Sequence, residues 1–246
     1  MLNNCISISI CLCTFNGEYY IFDQIASIIN ACIVVPGLAW EIVISDDGSS
    51  DQTISTCHLF NYDNIRVVAG PQKGVSKNFE NAIIHAQYDY IILSDQDDLW
   101  LPHRIICIIG YIGSYDVILS NCYIVNSSLA GNGESYFDIT SFHRFWPKLL
   151  YSNFFVGALM CCKSSFLKSI MPFPPAPLLH DIWIGMNCLI SGSLKFDNTP
   201  IMLYRRHEKS YITIGLAKKS LNDKLLFKIK YNFLLAYFFL KSNLVK

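Results

Sequence analysis

The sequence predicts an α/β fold with a mostly parallel central sheet flanked by helices. Apolar, β-branched runs alternate with segments whose apolar side chains recur at helical spacing. The links between them are short and carry turn residues such as Asn16-Gly17 and Asp47-Gly48. Polar clusters stand at Thr14–Asn16, Asp46–Asp47 and Asp95–Asp98, each ending a strand-like run. Ligands of open α/β sheets bind outside such carboxyl ends, so three distant segments are expected to meet at one edge.

Taken in order, Ile6–Thr14 alternates and is β-branched, a first strand. Glu18–Ile33 follows as a helix, with Tyr20, Ile21, Ile25, Ile28, Ile29 and Cys32 on one face. Trp40–Ser45 is a second strand, and Asp51–Phe60 a helix capped by the Ser49–Asp51 turn. Ile65–Ala69 is a strand; Val75–Gln87 is a helix whose inner face carries Phe79, Ala82, Ile83 and Ala86. Tyr90–Leu93 is a fourth strand running into Ser94-Asp-Gln-Asp-Asp98.

Beyond Pro102 the pattern loosens. Val117–Leu119 and Cys122–Val125 read as strands, Gly131–Glu134 as a turn, and Phe154–Cys162 as an apolar run with Gly157 inside it. Pro172–Pro177, with four prolines, is a non-helical loop. His180–Ile190 is helical, and Ser193–Phe196 and Pro200–Tyr204 read as strands.

At 246 residues the chain fits one α/β domain, and 52% hydrophobic against 15% charged residues excludes disorder. Mean hydropathy is +0.32, high for a freely soluble enzyme, yet no apolar stretch is long enough to span a bilayer. The net charge of zero hides a split: residues 1–110 hold four basic and twelve acidic side chains, residues 111–246 fifteen and seven. The first basic residue is Arg66, so a secretory signal is not expected. Ten cysteines without a CxxC pair, set in apolar runs, read as reduced, buried thiols of a cytosolic protein. Apart from the tail there is no broad basic surface, which argues against nucleic acid.

Asp95 and Asp97 are alternate residues of an extended segment, two oxygen ligands on one side. That arrangement suits a hard divalent cation, Mg2+ or Mn2+, completed by substrate phosphates. An isolated D-x-D also reads as an acidic turn ending a strand. Here the apolar Tyr90–Leu93 delivers the acids straight from the core, where like charges repel unless compensated. Asp46-Asp47-Gly48-Ser-Ser-Asp51 makes a turn and a cap, but two adjacent aspartates exceed that need. A carboxylate accepts the N–H of uracil or thymine, which gives Asp47 a base to read. Neither GxGxxG nor GxxxxGK[ST] is present.

Ile10–Asn16, Ile44–Asp51, Gly74–Phe79 (GVSKNF), Ser94–Arg104 (SDQDDLWLPHR), His180–Trp183 (HDIW) and Tyr204–His207 (YRRH) stand in a characteristic order. Together they resemble the family 2 glycosyltransferases, which have the GT-A fold. They most resemble the rhamnosyltransferase-like enzymes of bacterial surface-polysaccharide synthesis. The likeness runs from about Ile6 to Ser210. The resemblance implies that Thr14, Asn16 and Asp47 border the base and ribose, with Asp46 supporting them. Lys73 and Asn78 would lie near the nucleotide. It further implies Asp95 at the ribose or a metal-bound water, Asp97 as principal metal ligand, and Asp181 as catalytic base, with His180 its hydrogen-bonding neighbour. Tyr204–His207 is similar to a YRQH segment that closes over the diphosphate and would bring Arg205 and His207 to it. Here Arg206 replaces the usual Gln, and Glu208 and Ser210 stand where Gly and Asn are common.

Such residues suit inverting glycosyl transfer: a base for the acceptor hydroxyl, and a metal and Arg205 against diphosphate charge. The implied donor is a UDP- or dTDP-linked hexose or deoxyhexose, the acceptor a polyprenyl-diphosphate-linked saccharide. Residues 1–109 would form the nucleotide half and 110–216 the acceptor half. Residues 217–246 would be an amphipathic helical tail: in 218–246, seven lysines and one acid accompany Leu221, Leu225, Leu226, Ile229 and Phe233. That composition suits an anionic membrane surface, placing the protein peripherally on the inner face of the cell membrane; a helix packed on the domain is the other reading. Two other functions remain open at this stage. A non-catalytic nucleotide- or carbohydrate-binding protein would not need Asp181. A metal-dependent nucleotidyltransferase would need a phosphate loop that Thr14–Gly17 does not resemble.

Overall fold

The computed structural model describes residues 6–140, 154–174 and 179–206. The strands are β1 (Ser7–Thr14), β2 (Ala39–Asp46), β3 (Ile65–Ala69), β4 (Tyr90–Ser94), β5 (Leu99–Trp100), β6 (Val117–Asn126), β7 (Met160–Lys163) and β8 (Leu194–Arg206). The helices are α1 (Ile21–Ile33), α2 (Thr53–Cys57), α3 (Val75–His85), α4 (Arg104–Ile109), α5 (Tyr136–Thr140), α6 (Ser164–Ser169) and α7 (His180–Ser191).

All eight strands form one sheet in the order β3-β2-β1-β4-β7-β6-β8-β5. β1, β2, β3 and β4 run parallel. β7 is antiparallel to both β4 and β6, which returns β6 to the direction of β4; β8 then pairs parallel to β6, and β5 antiparallel to β8. Six strands therefore share one direction, and β5 and β7 oppose it. Continuous apolar runs are what parallel strands covered on both faces require. In β1 and β2, Ile8, Ile10, Cys11, Leu12, Ile42, Val43 and Ile44 are fully buried.

In residues 6–94 the expected elements recur with shifted ends. α1 starts at Ile21 because the N–H groups of Tyr20 and Ile21 both bond the Gly17 carbonyl, making Glu18–Tyr20 a turn. α2 keeps only five residues. The later part differs more. The two strands expected at Val117–Leu119 and Cys122–Val125 are one strand, β6, with register shifts on either side of Asn121. Buried Asn121 interrupts the apolar pattern yet is satisfied: its Oδ1 accepts from Cys122 and Phe137 N–H groups, and its Nδ2 donates to the Asn198 carbonyl. β8 likewise joins two expected strands. Its turn-like Asp197–Pro200 stretch is held inside the strand by Thr199, whose N–H and hydroxyl both bond Asp197 Oδ1. Four short elements, α4, α5, α6 and β5, are too brief to show a period in the sequence.

Two polar ties fix the layers. Glu41 accepts from the Ser9 hydroxyl and the Gln87 N–H and pairs with Arg66, linking β1, β2, β3 and the approach to β4. Lys77 of α3 bonds Glu80 and the Phe173 carbonyl, and Glu80 accepts the Phe173 N–H, so α3 anchors the loop ahead of α7. The nine described cysteines are all free, and eight are buried, as expected of structural thiols. No helix among the described residues is long and apolar enough to cross a membrane. The expected tail, residues 217–246, lies outside the described residues, as do His207 and residues 175–177 of the proline-rich loop.

Candidate active site

The carboxyl ends of β1, β2, β4 and β8 carry the predicted site. At the first two, Thr14 donates its hydroxyl to Asp46 Oδ2 at 2.8 Å. Asp46 Oδ1 accepts the N–H groups of Gly48 and Ser49, and Asp46 is buried, so this carboxylate shapes the turn. Its neighbour Asp47 turns outward and half-exposed. Asp47 Oδ1 accepts Gln72 N–H at 2.6 Å and Oδ2 accepts Gly74 N–H at 2.8 Å, while its own N–H reaches the Thr14 carbonyl at 2.9 Å. A carboxylate offers about four lone-pair sites, so a further donor can still be accepted. Lys73, between Gln72 and Gly74, is exposed. Gly74 has φ of +85°, a backbone state that favours glycine at the start of α3.

Asn16 lines the same rim: its N–H donates to Ser49 Oγ, and its Oδ1 accepts the Ser50 N–H. Asn78 is placed differently. It is 2% exposed, and its Nδ2 bonds the carbonyl of Ser45 at 2.8 Å and of Thr14 at 3.3 Å, while Ser45 donates to its Oδ1. Its side chain thus splices the ends of β1 and β2 beneath the rim.

At the end of β4 the acidic run divides by direction. Asp95 and Asp97 are half-buried, whereas Asp98 is buried and accepts the Arg205 N–H at 3.0 Å. Desolvation, then the charges of Asp97 and Asp181, lift the Asp95 carboxyl to about 7. This electrostatic contact shows that the base candidate and the D-x-D pair share one region. Burial, then Asp97 and Asp95, raise Asp98 well above the carboxylate range. Through the Arg205 N–H, Asp98 ties the acidic loop to the end of β8.

Arg205 closes this side. Its Nε donates to the Asp97 carbonyl at 2.8 Å and its Nη1 to the Ser127 carbonyl at 2.9 Å, and its guanidinium lies 4.7 Å over the Tyr20 ring. Nη2 is buried with no hydrogen-bond partner among the described residues. The sequence reading directs Arg205 at a diphosphate; the structure shows it gripping the backbone of the acidic loop.

Asp181 is fully buried at the first turn of α7, where its Oδ1 accepts the Ile182 N–H at 2.7 Å. α7 is docked here because the His180 N–H bonds Ser76 Oγ at 3.1 Å on α3. The His180 ring lies against Phe79, centroids 4.2 Å apart, and Phe173 at 6.4 Å. A Cβ at Gly157 would stand 2.5 Å from His180 Nε2, so Gly157 gives the ring its room. Expected as a hydrogen-bonding neighbour of Asp181, His180 has neither ring nitrogen bonded among the described residues. Burial drives its pKa down to about 3.

Two residues escaped the sequence reading. Arg104, wholly buried, lies 3.8 Å over the Trp100 ring and donates to the Ala158 carbonyl and Met202 sulfur. Burial lowers its pKa to about 9 against the opposing pull of Asp98; a lone Arg opening the apolar Ile105–Ile109 run was the available signal. Tyr136 on α5 feels Asp181: burial, then the charges of Cys122 and Asp181, raise its phenol. No sequence pattern marks it.

The donor chemistry suits a divalent cation in part. No cluster of three His, Cys, Asp or Glu able to hold a metal exists among the described residues. Asp95 and Asp97 offer one or two carboxylates, which is the usual protein share for Mg2+ when phosphates complete the shell. Burial first, and then the charges of Asp97 and Asp181, push the Asp95 carboxyl upward.

The family profile described as Glycosyl transferase family 2 matches residues 9–169. The dTDP-rhamnosyl transferase RfbG of Shigella flexneri is 34% identical over 231 residues, covering 85% of this chain and 76% of that protein. The Escherichia coli UDP-Glc:alpha-D-GlcNAc-diphosphoundecaprenol beta-1,3-glucosyltransferase WfgD is 24% identical over 127 residues, 48% of this chain and 49% of its own length. Among solved structures, S. aureus TarS 1-349 in complex with UDP-GlcNAc superposes with a TM-score of 0.66 at 18% identity, over 85% of this chain and 62% of TarS. The glucosyl-3-phosphoglycerate synthase of Mycobacterium tuberculosis, in complex with Mn2+, UDP and glucosyl-3-phosphoglycerate, gives 0.60 at 17% identity, over 82% and 73%. The chain thus spans about three fifths of the TarS structure it matches.

The buried imidazole has a measurable consequence. An unfolded histidine titrates near 6.5 and the folded His180 ring near 3, so between these values the unfolded chain holds the extra proton. The stability tied to this neutral ring is complete above about pH 6.5 and is lost as pH falls toward 3. In His180→Leu the slope of unfolding free energy against pH should fall by about 1.4 kcal/mol per unit in that window. Urea melts of native and variant protein across it measure the difference; equal slopes refute it.

Proposed function

Because the chain belongs to glycosyl transferase family 2 and is a glycosyltransferase, we propose that it transfers one hexose or deoxyhexose from a UDP- or dTDP-sugar to a lipid-linked saccharide. One observation carries this reading above the others. Asp181, opening α7, shares its electrostatic surroundings with Asp95 and Asp97, which lie far away in sequence. A protein that only bound nucleotides would have no use for a buried carboxylate beside that pair. A thymidine-linked deoxyhexose stands first among donors, since the relative spanning most of this chain is named for dTDP-rhamnose. An undecaprenyl-diphosphate saccharide stands first among acceptors, since the second relative is named for one. O-antigen or capsule synthesis is the setting this pairing suits.

In the proposed mechanism the nucleoside rests on the rim formed by Thr14, Asn16 and Asp47. The outward Asp47 carboxylate accepts the ring N–H of the pyrimidine while Asp46, buried behind it, keeps the turn in shape. Asp95 and Asp97 would hold Mg2+ or Mn2+, which when bound offsets charge on the departing diphosphate. Asp181 accepts the acceptor hydroxyl proton as that oxygen forms its bond to the anomeric carbon. The bond from that carbon to the diphosphate oxygen breaks as the new one forms, and the nucleoside diphosphate leaves. Arg205 keeps the acidic loop in register through the Asp97 carbonyl. Lys73, exposed beside Asp47, is free to meet the phosphates.

A thermal-shift screen of dTDP- and UDP-sugars with and without Mn2+ identifies the donor, because ligands that bind the native state raise its melting point. Asp181→Asn should retain that shift and lose at least about a hundredfold in transfer rate, the usual span of general-base catalysis. Undiminished transfer would refute the role.

A single base acting opposite the leaving group implies inversion at the anomeric carbon. NMR of the product gives its anomeric configuration, and retention refutes direct displacement.

The lysine-rich segment 218–246 suits an anionic bilayer surface. Deleting it should abolish co-sedimentation with phosphatidylglycerol vesicles; unchanged pelleting refutes a membrane role.

A further inference from the structure

Gln96 stands between the two carboxylates of the D-x-D pair, yet its amide is spent elsewhere. Its Oε1 accepts the N–H of Phe15 at 2.8 Å and its Nε2 donates to the carbonyl of the same residue at 3.0 Å, across 81 positions of sequence. Two antiparallel hydrogen bonds to one residue fix both the position and the plane of the amide. Phe15 is in turn flanked by the rim. Thr14 bonds Asp46 and receives the Asp47 N–H, and Asn16 is tied to Ser49 and Ser50. An unbroken path of short polar contacts thus runs from Asp47 through Thr14 and Phe15 to Gln96, and so to Asp95 and Asp97 on either side.

The surroundings are shaped for this clamp. A Cβ added at Gly17 would lie 2.3 Å from Gln96 Oε1 and 2.5 Å from its Cδ. Gly17 has no positive φ that would call for glycine; the space it leaves is occupied by the Gln96 amide.

We propose that Gln96 is a positioning residue that couples the nucleoside rim to the carboxylate pair, so that a base on the rim and a divalent cation at Asp95 and Asp97 tighten each other's binding. The inference rests on the nucleotide-and-cation reading of the site given above. A nucleoside that orders Thr14–Asn16 orders the Phe15 backbone, and the clamp passes that order to the two carboxylates flanking Gln96. Such coupling is reciprocal by thermodynamic necessity.

The test uses the full chain and nucleosides without phosphate, which cannot bridge to the ion, so any effect must pass through the protein. Mn2+ binding is followed by the EPR signal of the free ion, with saturating uridine and thymidine in parallel and without either. In the native protein the matching nucleoside should tighten Mn2+ by about fivefold or more, the lower end of common coupling strengths. Gln96→Met removes both hydrogen bonds at nearly constant volume. Gly17→Ala crowds the amide from the rim side and leaves every residue of the acidic loop unsubstituted. In each the coupling should fall below about twofold, with Mn2+ and nucleoside still bound separately. Full coupling in both variants overturns the proposal, as does a native protein that binds the two ligands independently. A native protein that takes up neither Mn2+ nor nucleoside instead removes the underlying reading of the site, and the coupling with it. Because the variants break the clamp from opposite sides, misfolding of one leaves the other to decide.

Discussion

Negative charge gathered at one edge of the sheet is the constraint around which the rest of this molecule is arranged. Asp95, Asp97 and Asp181 repel one another, and desolvation sharpens the repulsion, as the raised Asp95 carboxyl shows. The fold meets this repulsion through the main chain of the acidic loop. It immobilises the backbone that carries them. Arg205 grips the Asp97 carbonyl, Gln96 grips Phe15, and the buried Asp98 takes the Arg205 N–H. Arg205 gives hydrogen bonds to the Asp97 and Ser127 carbonyls, which holds the loop by its backbone.

Asp46 and Asp47 show the same economy at the neighbouring strand end. Adjacent residues at the end of a strand point to opposite faces. Asp46 turns inward, meets Thr14, Gly48 and Ser49, and becomes part of the turn. Asp47 turns outward to the N–H groups ahead of α3. Since α3 also supplies Ser76 to the start of α7, Asp47 and Asp181 are referred to one rigid helix. The separation of Asp47 from Asp181 is thereby set by α3 rather than by either loop.

Residues 6–94 were readable in the sequence because their strands are local and apolar and α1 and α3 are long enough to show a period. β1, β2, β3, β4, α1 and α3 all recur within a few residues of their expected ends, and the polar clusters fall where the strand ends put them. The part of the chain beyond β4 was less readable for physical reasons. β6 buries Ser120 and Asn121, and β8 buries Asp197, so alternation fails where the strands are longest. α4 and α6 have only six residues each, less than two turns. Within the site, the sequence marks the residue types that carry chemistry more readily than those that carry geometry. Gln96 looks like a spacer between two acids, and Arg104 like one charge ahead of an apolar run, until the fold clamps the one and buries the other. Asn78 is marked by the motif around it, but that its amide joins Ser45 and Thr14 becomes visible only in the fold.

The direction of β8 explains why a residue so late in the chain can serve the acidic loop. β7 reverses the sheet once after β4 and β6 reverses it again, so β6 and every strand parallel to it end on the rim that β1, β2 and β4 already define. Parallel pairing with β6 therefore delivers Arg205, 108 residues beyond Asp97, to the side of the sheet where the acids emerge. The carbonyl of Ser127, just past the end of β6, receives the same guanidinium, as two parallel neighbours ending together require. Had β8 paired antiparallel to β6, its last residues would leave at the far edge, and Arg205 would not reach Asp97. Strand β7 is thus what aligns the second half of the sheet with the first: running against both β4 and β6, it returns β6 and β8 to the direction of the strands that carry the acids.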